Sequence, residues 1–214
     1  MAFVFPRIYP ILDSSRIPAT DRAAFLHGLG ASLAEAGVTL LEYRNKQGSD
    51  DELKADAAVL RRTMPTGQVL LILDDRADLV VELGFDGVHV DAGDVSPTEA
   101  RRILGPGRIV GTFGGGQALQ PGILAAPVDY LAIGPVFTTT TKQTANPPIG
   151  IEGVRHLRAQ AGPDVVLTAA AGITLESAPS VLQAGATAVA VSAALFSVPN
   201  PAAEYRRWMQ ALGD

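Results

Sequence analysis

Residues 69–75 read Val-Leu-Leu-Ile-Leu-Asp-Asp, so five consecutive apolar side chains run directly into two acids. Five residues make a short helix but a β-strand of ordinary length. A strand without polar alternation has to be buried on both faces, and right-handed crossover helices on a parallel sheet provide that burial. The stretch therefore predicts a parallel strand whose carboxyl end carries acidic side chains.

Similar apolar runs recur along the whole chain, each followed by a Gly, Asp or Pro turn and then by a helical pattern rich in Ala and Leu. Ser49 and Ser96 each precede a Glu by three residues, as in the capping box that starts a helix. The eight runs are residues 7–13, 39–44, 69–75, 87–91, 108–112, 130–136, 165–171 and 188–193. This strict alternation predicts an α/β chain that closes into a (β/α)8 barrel, the TIM barrel.

The alternative architecture is an open, doubly wound sheet. Such a sheet usually begins with a Gly-rich turn between its first strand and helix, and residues 12–16, Leu-Asp-Ser-Ser-Arg, lack one. We therefore favour the barrel, as a single domain over residues 1–214.

Composition restricts the classes of partner. With 47 % hydrophobic and 18 % charged residues the chain has the composition of a soluble globular protein, and its net charge of −5 gives no general attraction to nucleic acid or anionic membranes. The absence of Cys excludes disulfides, thiolate metal sites and a Cys nucleophile. Arg7 and Pro10 interrupt the apolar start before a signal segment forms, so we expect a cytoplasmic protein. Whether it forms a homo-oligomer stays open.

The second predicted strand ends in a dense group of polar residues. Glu42, Arg44 and Lys46 alternate with other residues, which sends the three side chains to the same side of the strand. Cations that point into a barrel need an anionic partner. That partner is either a bound phosphate or, as a purely structural alternative, Glu42 or a neighbouring acid paired with Arg44.

Acids follow the third and fourth predicted strands. Asp74 and Asp75 end one strand, and Asp94 follows the next. Carboxylates without Cys or clustered His suit Mg²⁺, which binds substrate phosphates through one or two carboxylates. We expect Asp75 and Asp94 to bind Mg²⁺, with helix capping as the alternative role for acids in this region.

Three loops carry groups suited to a phosphate. The loop after strand six, residues 138–142, holds four Thr and Lys142. Gly172 and Ser192 follow strands seven and eight, where barrels usually bind phosphate and where small residues let backbone N–H groups approach a ligand. The alternatives are a solvated polar loop and small residues that ease packing.

Together these motifs resemble the family of thiamine-phosphate synthases and thiazole tautomerases over nearly the whole chain. The stretches that carry the resemblance are residues 36–41, 43–46, 75–76, 86–89, 129–137, 139–142, 172–173 and 184–186. The resemblance implies a transferase of thiamine biosynthesis that couples hydroxymethylpyrimidine pyrophosphate to hydroxyethylthiazole phosphate and releases pyrophosphate.

The resemblance also implies roles for individual residues, all toward small phosphorylated substrates. Asp75 and Asp94 would hold Mg²⁺. The pyrophosphate would be contacted by Arg44, Lys46 and Lys142, and the thiazole phosphate by Thr139, Thr141 and Gly172.

The chain departs from the family pattern at several of these positions. Glu42 replaces a pyrimidine-binding Gln, and as an ionised group it would face ring nitrogens unfavourably. Asp74 replaces an Asn and needs a compensating cation beside a pyrophosphate. The family's phosphate-binding Ser aligns with Ala193 or, one position earlier, with Ser192. Residues 113–116, Phe-Gly-Gly-Gly, replace Ser-Thr-His, and Ala171 precedes Gly172 in place of a second Gly.

Two other functions stay open. A thiazole tautomerase of this family uses a His in the loop after strand five, where this chain has none. A barrel that binds a phosphorylated ligand without catalysis is the second alternative, which the replacements at Glu42, Asp74 and Phe113 favour.

Overall fold

The structure, a computed structural model, describes residues 4–139 and 147–213. Eight parallel strands close into a barrel in chain order, with β1 hydrogen-bonded to both β2 and β8. The strands are β1 (Ile8–Asp13), β2 (Leu40–Arg44), β3 (Leu70–Asp74), β4 (Gly87–Val90), β5 (Ile109–Gly115), β6 (Tyr130–Ile133), β7 (Leu167–Ala170) and β8 (Ala188–Val191). The predicted (β/α)8 barrel is confirmed.

Helices cover the outside of the barrel. They are α1 (Arg22–Glu35), α2 (Asp50–Thr63), α3 (Pro97–Leu104), α4 (Gly150–Ala161), α5 (Ala178–Gln183), α6 (Ala193–Phe196) and α7 (Pro201–Leu212). The predicted caps are confirmed, since the hydroxyls of Ser49 and Ser96 accept from the backbone N–H groups of Glu52 and Glu99, both at 3.2 Å. Within the described residues no helix is long and apolar enough to cross a membrane.

Two crossovers depart from strict alternation. The described segment between β3 and β4 forms turns instead of an α-helix, and it buries Ala77, Val80 and Phe85 against the barrel. The crossover between β5 and β6 contains only a short 3₁₀ helix, Ile123–Ala125. A few buried apolar side chains are sufficient to cover the sheet at these two crossovers. Their spacing in the sequence resembles that of a short helix, which is why the sequence predicts helices there.

The third strand is buried on both faces, as its sequence predicts. Leu71 and Leu73 belong to the core between the sheet and the helices, whereas Ile72 belongs to a smaller core inside the barrel. Phe5 lies before β1 and packs its ring 5.1 Å from that of Tyr130. This packing fills the amino-terminal end of the barrel, so the cavities open at the carboxyl ends of the strands.

Candidate active site

Arg44 lies at the end of β2 between two acids from neighbouring strands. The register pairs Arg44 with Asp13 on β1, and the guanidinium donates to the Asp13 carboxylate. Its Nε also lies 3.4 Å from Oδ2 of Asp74 on β3. Arg44 is about three-quarters buried and lines both large cavities of the described barrel. The expected inward cation is present, and Asp13 and Asp74, rather than Glu42, balance its charge.

Lys46 lies just beyond β2 and contacts both acids at the end of β3. Its Nζ is 3.2 Å from Oδ2 of Asp74 and donates to the Asp75 carboxylate. Burial disfavours the ammonium, but the two carboxylates outweigh this effect and raise the pKa of Lys46. Lys46 is therefore a fixed cation beside the acidic pair.

Asp74 is buried in the cavity wall. Burial raises the pKa of this carboxyl group to about 7, and the nearby Glu42 carboxylate adds to the rise while His89 and Lys46 oppose it. The contacts of its Oδ2 with Arg44 and Lys46 are ionic, without hydrogen-bond geometry. The cation that Asp74 needs beside a pyrophosphate is thus supplied twice.

Asp75 and Asp94 lie together at the rim of the barrel. Oδ1 of Asp75 is buried and has no hydrogen-bond partner within the described chain, and the residue has a left-handed φ of 68°. Oδ2 of Asp94 accepts from the Asp91 N–H at 2.7 Å. Burial and the adjacent Asp75 raise the pKa of Asp94, against the effect of the Asp91 hydrogen bond. Mutual repulsion of this kind is relieved by a cation.

The acid pair provides fewer ligands than a complete protein metal site. No cluster of three or more His, Cys, Asp or Glu suited to a metal occurs among the described residues. Mg²⁺ commonly binds through only one or two carboxylates and completes its shell with water and substrate phosphate. The orphaned oxygen of Asp75 beside Asp94 fits that binding mode.

A cavity of about 400 Å³ lies inside the mouth of the barrel, and a polar network forms its floor. Tyr9 donates to Oε2 of Glu42 at 2.6 Å, and the Tyr9 and Tyr130 hydroxyls are 2.8 Å apart. Tyr130 lies 3.0 Å from Nδ1 of His89. Four strands thus contribute one side chain each to a continuous hydrogen-bonded chain beneath the cavity.

A second cavity, of about 530 Å³, adjoins the first and lies over the ends of β7 and β8. Thr139, Gly172 and Ser192 line it. The Ser192 hydroxyl is buried without a hydrogen-bond partner in the described chain. A Cβ atom on Gly172 would lie 2.6 Å from the backbone oxygen of Thr138, so only Gly allows the two loops to approach this closely. Small residues and an unused hydroxyl suit this cavity to a phosphate.

The structure brings most of the predicted site residues together at one end of the barrel. Around the two cavities and their rim lie Glu42, Arg44, Lys46, Asp74, Asp75, Asp94, Thr139, Gly172 and Ser192. Thr141 and Lys142 lie outside the described residues. Sequence reasoning missed the contributions of Asp13, Tyr9, His89 and Tyr130. Their inward alternation along β1, β4 and β6 is the signal that could have found them.

Comparison with known proteins identifies the family. Residues 8–195 match the profile of the family described as thiamine monophosphate synthase. This chain belongs to the thiamine monophosphate synthase family. Thiamine-phosphate synthase from Koribacter versatilis is 42 % identical over 195 residues, which cover 91 % of each chain. The enzyme of that name from Agrobacterium fabrum is 39 % identical over 175 residues, 80 % of each chain.

Solved structures agree with the barrel topology. Thiamine phosphate pyrophosphorylase from Pyrococcus furiosus superposes with a TM-score of 0.79 over 97 % of this chain and 96 % of its own, at 22 % identity. At that identity the superposition supports the fold alone. The curated relatives of this family member bear the name of the synthase, a transferase.

Proposed function

We propose that this chain is a thiamine-phosphate synthase, which joins hydroxymethylpyrimidine pyrophosphate to hydroxyethylthiazole phosphate and releases pyrophosphate. One observation carries the proposal: Lys46 contacts Asp75, which lies beside Asp94, and Arg44 lies next to this group against Asp74, at the rim of a cavity that adjoins a second cavity suited to phosphate. A leaving pyrophosphate needs cations and Mg²⁺ at one place, and the second substrate needs an adjoining subsite.

The rim residues would bind the departing group. Arg44 and Lys46 are already held by Asp13, Asp74 and Asp75, so they would meet the pyrophosphate with little reorganisation. Asp75 and Asp94 would hold Mg²⁺, which when bound neutralises part of the pyrophosphate charge. We assign Lys142 to the same group of cations from its sequence motif.

The second cavity would bind the thiazole phosphate. Thr139 and the unpartnered Ser192 hydroxyl would donate to its oxygens, and Gly172 would keep the loop backbone close to the ligand. Thr141 joins this subsite by its motif. The cavities share Arg44 and Thr139 in their walls, so substrates in both would lie side by side.

Mass spectrometry of the reaction product tests the proposal. The purified chain is incubated with both substrates, with and without Mg²⁺, and we expect thiamine phosphate in the presence of the ion. A folded protein that binds the thiazole phosphate but yields no thiamine phosphate would contradict the synthase activity and support a non-catalytic barrel. Isomerisation of a thiazole phosphate without formation of thiamine phosphate would support the tautomerase.

A further inference from the structure

Glu42 is a buried acid without a counter-ion in the described chain. Its side chain lies on β2, the residue is 3 % exposed, and it lines the cavity of about 400 Å³. No described Lys, Arg or His lies within 4 Å of its carboxylate oxygens, whereas Asp74 on the adjacent strand β3 has both Arg44 and Lys46. Burial of an unpaired carboxylate is costly unless something else compensates for it.

The network under the cavity fixes the orientation of the Glu42 side chain. Tyr9 has one hydroxyl proton, which it donates to Oε2 of Glu42, so Tyr130 must donate to Tyr9. Tyr130 in turn accepts from Nδ1 of His89. Each hydrogen bond thus points toward Glu42. Oε1 accepts from no described residue and remains available to a ligand.

The β2 strand separates two opposite charges within the same site. Glu42 and Arg44 both point inward, two residues apart, which corresponds to roughly 6.6 Å along a strand. The carboxylate lies deep in the barrel and the guanidinium lies at its mouth. A substrate that breaks into a cation and an anion is stabilised at both ends when its cation lies deep and its anion lies at the rim.

We infer that Glu42 is a catalytic residue whose carboxylate stabilises the pyrimidine cation formed when pyrophosphate leaves. The inference rests on the proposed function. The bond between the methylene carbon and the pyrophosphate oxygen breaks, and its electron pair leaves with pyrophosphate. The positive charge spreads from the methylene carbon into the aminopyrimidine ring, whose amino group donates to Oε1. The lone pair of the thiazole nitrogen then forms the new bond to carbon, and no proton is lost.

Glu42→Gln is the direct test, because Gln keeps the size and an acceptor oxygen but removes the charge. In single-turnover assays with both substrates and Mg²⁺, we expect the rate of pyrophosphate release to fall roughly 10- to 100-fold. The dissociation constant of the pyrimidine substrate should change less than about threefold, because the cation exists only in the reaction. Glu42→Asp keeps the charge and should retain more activity than Glu42→Gln.

Asp56→Asn is the matched control. Asp56 is also a buried carboxylate, 2 % exposed, and it also accepts from a tyrosine, but it lies on α2 outside both cavities. It pairs with Arg22, so its variant should lose thermal stability and keep the single-turnover rate. An equal loss of rate in Asp56→Asn would show that Glu42→Gln acts through damaged packing, which would overturn the inference.

The outcomes separate the two proposals. Wild-type protein that makes no thiamine phosphate contradicts the proposed function, and the role of Glu42 falls with it. Active wild-type protein with an equally fast Glu42→Gln variant overturns the role of Glu42 alone. A Glu42→Gln variant that binds the pyrimidine substrate more weakly but releases pyrophosphate at an unchanged rate at saturation would make Glu42 a binding residue, which also contradicts a role toward the cation.

Discussion

Asp74 and Asp75 are neighbours in the chain, yet their surroundings give them different properties. Asp74 lies in the barrel wall and forms ion pairs with Lys46 and Arg44. Asp75 has a left-handed φ and lies beside Asp94, and one of its buried oxygens has no hydrogen-bond partner in the described chain. Alternation along β3 assigns opposite faces to the two positions, but the turn after the strand brings both near the rim. A single substitution at either position should therefore have a distinct effect.

Asp74→Asn should stabilise the protein above neutral pH. Because burial raises the pKa of Asp74 to about 7, above its unfolded value, its contribution to stability is present below about pH 4 and is lost as the pH rises through 7. At pH 8 we expect the variant to gain on the order of 2 kcal/mol in the free energy of unfolding. Urea unfolding from pH 4 to pH 8 measures the difference between the two proteins.

The control for this prediction is Asp78→Asn in the crossover that follows β3. Arg76 holds the pKa of Asp78 below its usual value, so this substitution removes a stabilising interaction at neutral pH and should cause a small loss. If wild-type protein and Asp74→Asn keep the same difference in stability at every pH, the raised pKa of Asp74 is wrong.

Asp75→Ala should abolish turnover while leaving the fold intact. Without the orphaned carboxylate oxygen the rim loses half of the acid pair that we assign to Mg²⁺, and we expect at least a roughly 100-fold fall in kcat. Asp78→Ala, an exposed acid three residues along the chain, should keep its activity. Circular dichroism and steady-state kinetics check both variants, and an active Asp75→Ala protein would eliminate the metal assignment.

At the scale of the elements, the sequence predicts where each strand lies, because short apolar runs between turns leave few alternatives. It does not predict which side chains meet across the barrel. Asp13 is identified as the partner of Arg44 only through the register between β1 and β2. The contact between Tyr9 and Tyr130 joins strands far apart in the chain and depends on closure. The missing helix between β3 and β4 shows the same limit, since buried apolar residues in turns resemble a helix in sequence.

Gly111 shows how one element makes space for another. A Cβ atom at this position on β5 would lie 1.9 Å from Cζ of Tyr130 on β6. The missing side chain lets the Tyr130 phenol extend across the barrel to Tyr9 and His89. The floor of the site therefore depends on a glycine in a strand interior, where glycine is otherwise unfavourable.

The contact between the loops after β6 and β7 gives a prediction at the same scale. Gly172→Ala introduces a Cβ atom 2.6 Å from the backbone oxygen of Thr138 at a φ of 69°. We expect the free energy of unfolding to fall by about 3 kcal/mol and the KM for the thiazole phosphate to rise. Denaturant unfolding and kinetics at varied thiazole phosphate check the two effects.

Gly122→Ala separates the two causes of this loss. Gly122 has a similar φ of 76° but open space where its Cβ would lie, so only the backbone strain, about 1 kcal/mol, should remain. Equal losses at the two positions would show that the close approach at Gly172 has no energetic effect.

At the scale of the whole molecule, the barrel arranges charge along its axis. The amino-terminal end of the barrel is closed, and the floor formed by Tyr9, Tyr130 and Glu42 lies deep inside it. Arg44, Lys46 and the acid pair lie at the mouth. The net charge of the chain is −5, so the attraction for an anionic substrate is local to this mouth. The family relationship and this distribution of charge lead to the same account, in which the barrel holds two substrates and stabilises the departing pyrophosphate.

Single-turnover release of pyrophosphate, measured after chelation and again after Mg²⁺ is restored, tests that account most directly. We predict that chelation stops the release, that Mg²⁺ restores it, and that pyrophosphate and thiamine phosphate appear in equal amounts. Equal rates of product formation with the chelator and with Mg²⁺, or pyrophosphate without thiamine phosphate, would contradict it.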